Sequence, residues 1–153
     1  MMCGGLEFRT RKGNAAVHGL FPDEPEIVRV TFPNPKAALL VNEETNLWLP
    51  WGRRKEELGR WPEGGWARAE SLEKAYWTRW DPEPVMVFPV RWMEKDRKGK
   101  SCWFELQAGQ GIACLKLRKA PATPLYVITE PSPPDFLDIH DRIPRICENH
   151  PTP

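Results

Sequence analysis

The sequence "GIACLKLRKAPATPLYVITE" spans residues 111–130 and holds two short apolar segments on either side of a polar, proline-bearing connection. The segments "GIACLKL" (111–117) and "PLYVITE" (124–130) have the length and boundaries typical of strands. Just upstream, "SCWFELQ" (101–107) is joined to 111–117 by the short link "AGQ". This spacing predicts a β-hairpin of the segments 101–107 and 111–117, and hence an antiparallel sheet.

Further strand candidates extend this sheet in the N-terminal direction. The segment "EIVRVTF" (26–32) alternates apolar and polar residues, and after a turn-like "PNP" the apolar run "AALLV" (37–41) follows. We expect these two to pair with each other. The segment "LWLPWG" (47–52) contains a proline that favours a strand end or a sheet edge, and "VMVFPVRW" (85–92) is a further strand candidate.

One segment has helical spacing. In "RAESLEKAYW" (68–77), three apolar residues share one face and an acidic and a basic residue lie four positions apart on another, which predicts a helix ended by "DPEP" (81–84). Strands otherwise dominate. The sequence therefore predicts an α+β fold, mainly an antiparallel, curled and barrel-like sheet with one or two helices, and a single domain over residues 1–153.

The composition excludes some classes of protein. The chain has 153 residues with 17 prolines and eight tryptophans, and its net charge of +1 gives no general attraction for nucleic acid, so any basic surface must be local. We find no apolar run long enough to cross a bilayer and no secretory signal. These features predict a soluble, cytoplasmic protein without a membrane partner.

The four cysteines predict neither disulfides nor a metal site. They form no CxxC pair, and the combination of Cys102, Cys114, Cys147 and His150 lacks the short ligand spacing that arranges a zinc site. We therefore expect no metal and no other cofactor. Cys102 and Cys114 are predicted to be buried strand residues.

Two residues are candidates for proton transfer. His140 lies in "DIHDR" (138–142), where charged neighbours can shift its pKa or bind an anion, although a plain surface-turn histidine is the alternative. Glu94 directly follows an apolar run, so it can face inward at a strand end as a general acid or base. The alternative for its segment "RWMEKDRKGK" (91–100) is a solvated hairpin loop. No GxSxG motif supports a serine nucleophile.

Five motifs together resemble the SOS-response-associated peptidase family, whose members shield abasic sites in single-stranded DNA. The motifs occur in the family's order and near its spacing. They are "MCGG" (2–5), "PWG" (50–52), "ARAES" (67–71), "RWMEK" (91–95) and "VITEPSPPDFLDIHDRIP" (127–144). The resemblance covers most of the chain and is most specific at the N-terminal cysteine and the IHDR-P segment.

The resemblance implies a function and assigns residues to it. In the family, the N-terminal cysteine is exposed by methionine removal and captures the aldehyde of an abasic deoxyribose as a thiazolidine. The matching nucleophile here is Cys3, Glu94 and His140 match the residues that assist proton transfer, and Arg68 and Arg142 match arginines that contact phosphates. Because an α-amine has a pKa of about 7.7–8.0, a fraction of it is uncharged at neutral pH and can add to an aldehyde, after which the thiol closes the ring.

The partner implied is single-stranded DNA that contains abasic sites. Arg68 and Arg142 can bind backbone phosphates with forked hydrogen bonds, which makes a local basic groove compatible with the near-neutral total charge. Trp51 or Trp66 can stack on a base beside the lesion. Four other tryptophans are expected in the core rather than on the DNA, namely Trp77, Trp80, Trp92 and Trp103.

The chain departs from the family pattern at three places. Met2 stands between Met1 and Cys3, so we expect translation to begin at Met2 and removal of that residue to free the cysteine. Trp66 occupies the position of a family asparagine that helps to hold the sugar, and a tryptophan side chain cannot accept a hydrogen bond. Gly5 stands where the family has an arginine.

The sequence thus predicts a DNA-damage-response protein that crosslinks abasic sites, with an associated self-processing peptidase (hydrolase) activity as part of an SOS response. A noncatalytic single-stranded nucleic-acid-binding module that keeps only the fold is the alternative. Self-cleavage of a short leader by the same three residues, Cys3, Glu94 and His140, is a third hypothesis.

Overall fold

The computed structural model of the protein describes residues 4–10, 26–33 and 37–148. These residues form twelve strands. In chain order the strands are β1 (Gly4–Thr10), β2 (Glu26–Phe32), β3 (Ala38–Asn42), β4 (Leu47–Pro50), β5 (Trp66–Arg68), β6 (Pro82–Val87), β7 (Arg91–Lys95), β8 (Ser101–Glu105), β9 (Gln110–Leu117), β10 (Leu125–Pro131), β11 (Arg142–Pro144) and β12 (Ile146–Glu148). The described helical segments are one α-helix, α1 (Ala75–Thr78), and two 3-10 turns (Ala69–Ser71 and Pro134–Phe136).

The first sheet has the strand order β2-β1-β7-β8 and is antiparallel throughout. Its register sets Gly4 at the start of β1 opposite Glu94 in β7. On the face that carries Gly4 and Glu94, Leu6 lies opposite Trp92, and both side chains are buried. This alternation follows from the period of two in a strand, and it directs Glu94 toward the protein interior.

The second sheet has the order β11-β10-β9-β12, with β5 added in parallel to β10 and β6 added antiparallel to β9. The segments 111–117 and 124–130 supply its two central strands, β9 and β10. Strands β3 and β4 form a separate two-stranded sheet.

Two hydrophobic clusters hold these sheets together. The larger contains Leu6, Trp92 and Trp51, whereas the smaller contains Trp77 and Tyr126. Strand β10 contributes to both, because its side chains alternate between the two clusters and are buried on both faces. Such burial on two faces explains why this segment is almost continuously apolar.

The predicted sheet-dominated fold is confirmed in its main features. Nine strand pairings join the described strands; eight are antiparallel, and the pairing of β5 with β10 is parallel. The barrel-like closure is not seen, because the described strands form three open sheets. None of the described helical segments has the length and apolar character to cross a membrane.

The predicted helix over residues 68–77 was wrong. The segment begins as strand β5, continues as a 3-10 turn and becomes helical only at α1. Ala67, next to Arg68, is fully buried opposite Ile128, so pairing with β10 places the start of the segment in the second sheet. Tertiary pairing here outweighs the helical spacing of the side chains.

Two predicted strand pairings were also wrong. Strand β2 pairs with β1 rather than with β3, and β3 pairs with β4 instead. The segments 101–107 and 111–117 do not form a hairpin, because β8 belongs to the first sheet and β9 to the second. The predicted strand 85–92 is divided between β6 and β7 by residues 88–90, and "DPEP" runs into β6 rather than ending a helix.

Candidate functional site

An open cleft of about 630 Å³ lies where β5, β10 and β11 meet. The parallel pairing of β5 with β10 brings Trp66 and Arg68 beside Thr129, and the loop after the second 3-10 turn brings His140 to the same place. The residues that line the cleft are Trp66, Arg68, Glu70, Thr129, Pro131, His140, Asp141 and Arg142. Four predicted site residues thus converge from segments about 60 to 75 positions apart in the chain.

Arg142 is the best-anchored cation of the cleft. Its Nε donates to Thr129 Oγ1 at 3.0 Å, and one terminal nitrogen donates to the Thr129 carbonyl oxygen at 2.8 Å. The two terminal nitrogens also donate to the two carboxylate oxygens of Glu70, each at 2.8 Å. The guanidinium group is therefore held on one side by β10 and on the other by a bidentate carboxylate.

Arg68 is held far less firmly. Its side chain is 65 % exposed, and its nearest anion is Glu70, at 3.9 Å. Hydrogen bonding from Arg142 lowers the pKa of Glu70 to about 2, with a smaller effect from Arg68. The cleft lining therefore carries two arginines together with Glu70, which is ionised at neutral pH, and Asp141, which pairs with Arg97.

His140 is oriented by its own loop. The backbone N–H of Arg142 donates to His140 Nδ1 at 3.1 Å, and the His140 carbonyl oxygen accepts from the Ser132 hydroxyl at 2.6 Å. Because Nδ1 accepts a hydrogen bond, the neutral ring carries its proton on Nε2. His140 is half-buried at the cleft rather than on an isolated surface turn.

Glu94 carries a buried carboxyl group in the first sheet. Its side chain faces inward from β7 with a relative exposure of 1 %, and neither oxygen has a hydrogen-bond partner among the described residues. Burial raises the pKa of Glu94 to about 8, and the nearby backbone N–H of Lys95 acts in the opposite direction to a smaller extent. The inward orientation predicted from the sequence is confirmed, and at neutral pH the group is largely protonated.

Gly4 joins Glu94 to the cleft. Gly4 lies opposite Glu94 in the sheet, and a Cβ atom built on it would lie 2.7 Å from Cη2 of Trp66 and 3.0 Å from the Met93 carbonyl oxygen. Only glycine allows this close approach between β1, β7 and the indole ring. Trp66 therefore contacts Gly4 as well as lining the cleft.

The two candidate base-stacking tryptophans differ in position. Trp66 lines the cleft, and its buried indole nitrogen has no hydrogen-bond partner within the described part of the chain. Trp51 is only 2 % exposed, donates to the Gly65 carbonyl oxygen at 2.8 Å and packs on Trp66 with ring centroids 5.2 Å apart. Trp51 thus lies in the core and supports Trp66, and its ring is not available to a base in this structure.

A smaller polar depression of about 190 Å³ continues from His140 toward the turn between β7 and β8. It is lined by Lys95 and His140 together with Arg97, whose guanidinium group donates to Asp141 at 2.9 Å and to the Leu137 carbonyl oxygen at 3.0 Å. These contacts attach the basic β7–β8 turn to the His140 loop. The alternative prediction for 91–100, a solvated hairpin loop, holds for residues 96–100, which form the turn between β7 and β8, whereas residues 91–95 are strand β7.

Glu70 and Thr129, which hold the Arg142 side chain, were not predicted as site residues. Glu70 was counted only among the charges of a predicted helix, and Thr129 belongs to the buried side of β10. The motif "ARAES" did contain a signal for Glu70, because a carboxylate two positions after Arg68 can come close to that arginine. Nothing in the sequence pointed to Thr129.

The remaining candidates divide between described and undescribed residues. Cys3, Met1, Met2 and His150 lie outside the described residues. No group of three or more potential metal ligands occurs within the described ranges. Cys114 is fully buried, which raises the pKa of its thiol, and Cys102 is half-buried.

Comparison of the chain with protein-family models finds no match, and comparison with curated proteins finds none either. The family resemblance of the five motifs therefore stays a prediction from the residues themselves.

Proposed function

We propose that this protein binds single-stranded DNA and forms a covalent thiazolidine with abasic sites through Cys3, once the residues before Cys3 have been removed. The observation that carries the proposal is the register of β1 on β7. Gly4, which follows Cys3 in the sequence, lies against Trp66 at the cleft and opposite Glu94, whose buried carboxyl group has no hydrogen-bond partner among the described residues. An N-terminal amine and thiol at this end of β1 would be next to a proton donor and the cleft that holds Arg68 and Arg142.

The chemistry needs no cofactor. The uncharged α-amine of Cys3 adds to the aldehyde carbon of the ring-opened sugar, and the resulting carbinolamine loses one water to give an imine. The thiol sulfur then adds to the imine carbon, and the nitrogen takes up a proton. One C–N and one C–S bond replace the C=O bond, and one water leaves.

Glu94 and His140 are suited to the proton transfers of this sequence. A carboxyl group with a pKa of about 8 is mostly protonated at neutral pH, so Glu94 can protonate the hydroxyl group that leaves as water. The hydrogen bond to His140 Nδ1 leaves Nε2 as the ring atom that exchanges a proton with the substrate.

DNA binding is supported by the charge and shape of the cleft. Arg68 and Arg142 offer guanidinium groups to the backbone phosphates on either side of the lesion, and Trp66 offers an aromatic surface to a neighbouring base. The cleft is open, which suits a single strand whose bases and sugars are accessible.

The test uses protein whose first residue is Cys3, as verified by intact mass, and a single-stranded oligonucleotide with one abasic site. We expect a species that survives denaturing electrophoresis and has the mass of protein plus DNA less one water. An intact mass for protein expressed from the native gene also shows whether the residues before Cys3 are removed, as self-processing requires. Absence of the crosslink with a verified Cys3 terminus would contradict the proposal.

Two variants and a matched control assign the chemistry. Cys3→Ala should abolish the crosslink, and Glu94→Gln should slow it. Cys102→Ala removes a partly exposed thiol from β8 and should crosslink at the wild-type rate. Equal loss in Cys102→Ala and Cys3→Ala would show that the reaction is not specific to the N-terminal residue.

A noncatalytic nucleic-acid-binding module is the second candidate, and the position of Trp66 favours it. The family resemblance implies an asparagine that holds the sugar at position 66. In this chain, the indole ring of Trp66 is there instead and packs against Gly4. In this case, binding of undamaged single-stranded DNA would weaken with salt, would be the same in Cys3→Ala, and would not lead to a crosslink with abasic DNA.

A further inference from the structure

The guanidinium edge of Arg142 that faces the cleft is already occupied. Both terminal nitrogens donate to Glu70, one to each carboxylate oxygen, at 2.8 Å. Among the described residues, the other hydrogen bonds of the Arg142 side chain are to the hydroxyl and carbonyl oxygens of Thr129. A phosphate that used Arg142 in the same forked geometry would therefore need the place that the Glu70 carboxylate holds.

The two partners of this ion pair differ in freedom. The Arg142 side chain is 12 % exposed and is tied to β10 through Thr129, whereas the Glu70 side chain is 51 % exposed. Within the described residues, the side-chain partners of Glu70 are Arg142 and, at 3.9 Å, Arg68. Glu70 can thus turn toward solvent without loss of core packing, while Arg142 stays in position.

We propose that the Glu70 carboxylate is an internal substitute for a DNA phosphate: it occupies the anion site formed by Arg142 and Arg68 and is displaced when a phosphodiester binds there. This inference rests on the proposed function for its ligand. Planar carboxylates and phosphates present a pair of oxygens to arginine in equivalent ways, which allows the exchange.

The exchange has a consequence for specificity. Arg68, Arg142 and Glu70 together carry one positive charge, whereas the two arginines alone carry two. A poorly positioned phosphate therefore gains little attraction from these groups while Glu70 is in place. Because Arg142 lowers the pKa of Glu70 to about 2, the carboxylate stays ionised at neutral pH and is released by ligand exchange rather than by protonation. A strand must place its phosphate well before it replaces this anion.

The first experiment measures binding of an undamaged, fluorescently labelled single-stranded oligonucleotide to the wild type and to Glu70→Gln. Glutamine keeps the size of the side chain and removes its charge. We expect binding about two- to fivefold tighter at low salt, the range of an exposed ion pair. The plot of log affinity against log salt should be steeper by about 0.7, the contribution of one phosphate contact to a single strand.

The matched control is Glu73→Gln, which removes an exposed carboxylate three positions further along the chain and outside the cleft lining. It should bind DNA as the wild type does. Unchanged or weaker binding by Glu70→Gln would overturn the inference, since it would show that Glu70 positions Arg142 rather than competes with phosphate.

A second measurement separates this inference from the proposed function. Inorganic phosphate is added to the wild type and to Glu70→Gln without DNA, and the thermal unfolding midpoint is followed. We expect phosphate to stabilise Glu70→Gln more than the wild type, because the vacant arginine site binds it. Equal stabilisation of both, or none of either, would overturn the inference even if DNA binds, whereas the expected difference without DNA binding would support exchange of Glu70 for phosphate at the arginines but refute DNA as the ligand and, with it, the proposed function.

Discussion

Glu7 and Glu94 are buried carboxyl groups on adjacent strands of one sheet, and their surroundings give them opposite properties. Glu7 accepts hydrogen bonds from Arg91 and Arg29 at 2.8–3.2 Å, and the bond to Arg91 is the main cause of its lowered pKa. Glu94 points to the other face of the sheet, where it has no hydrogen-bond partner among the described residues, and burial raises its pKa. The period of two along the strands therefore decides which glutamate is structural and which can exchange a proton.

The raised pKa of Glu94 predicts a pH-dependent stability. The group titrates near 4.5 when unfolded and at about 8 when folded, so between these values the folded state binds more protons than the unfolded state. The free energy of unfolding should therefore fall as pH rises through this window, by up to about 1.4 kcal/mol per pH unit from this group. Urea unfolding of the wild type and Glu94→Gln from pH 4 to pH 9 measures the effect.

The Glu94→Gln variant removes only the titrating part of this contribution. A buried amide has the same cost at every pH, so the stability of the wild type relative to the variant should fall steadily as the pH rises from 4.5 to 8 and then level off. Parallel pH profiles for the two proteins would show that Glu94 titrates as an ordinary carboxyl group and would remove its role as an acid at neutral pH.

At the scale of elements, strand β5 decides the geometry of the cleft. Its three residues pair in parallel with β10, which buries Ala67 and leaves Trp66 and Arg68 on the cleft side. A helix over 68–77 would have rotated successive residues by 100° and separated Arg68 from Thr129. The departure from the helical prediction is thus the feature that assembles the site.

The turn between β7 and β8 adds basic side chains beyond the cleft. Asp96 Oδ1 accepts from the backbone N–H groups of Lys98 and Lys100 at 2.9 and 2.8 Å, which closes the turn. The side chains of both lysines are exposed and have no ion-pair partner among the described residues. The turn is attached to the His140 loop by Arg97.

If single-stranded DNA binds in the cleft as proposed, we predict that Lys98 and Lys100 contact phosphates of the DNA strand where it leaves the cleft past His140. Replacing both by alanine should weaken binding of single-stranded DNA and reduce the slope of log affinity against log salt by about 1.4, which corresponds to two contacts. Fluorescence anisotropy at several salt concentrations provides the measurement.

The control for the turn is Lys55→Ala combined with Lys119→Ala, because these two lysines are also exposed but line neither depression. This pair should leave the salt slope close to that of the wild type. An equal change in both double variants would mean that net charge, rather than the turn, governs binding.

At the scale of the whole molecule, strand β10 connects the two hydrophobic clusters. Leu125 and Val127 belong to the larger cluster, and Tyr126 and Ile128 belong to the smaller. All four are buried, and Thr129, the next residue, anchors Arg142. Core packing and the cleft therefore share one strand.

This sharing predicts a single cooperative unfolding transition. Leu125→Ala should lower the free energy of unfolding by about 2–5 kcal/mol, because it leaves a cavity at a fully buried position. Tryptophan fluorescence and near-ultraviolet circular dichroism should give coincident denaturation curves for the wild type and the variant. Two separate transitions would show that the clusters unfold independently and would contradict the single-domain prediction.

The strands themselves were determined by local sequence, since "EIVRVTF", "GIACLKL" and "PLYVITE" form β2, β9 and β10 nearly as predicted. The apolar residues that precede Glu94 likewise indicated its inward orientation. These features depend on alternation and turn residues within a few positions, which a sequence displays directly.

The tertiary structure alone decided which strands pair, that β5 replaces a helix, and that the Glu70 carboxylate pairs with the Arg142 guanidinium group. Each depends on residues far apart in the chain: β8 joins β7 rather than β9, and Arg142 reaches Glu70 across 72 positions. The free energy of such contacts comes from burial and from hydrogen bonds between distant segments, and it exceeds the small local preferences that a sequence window reveals.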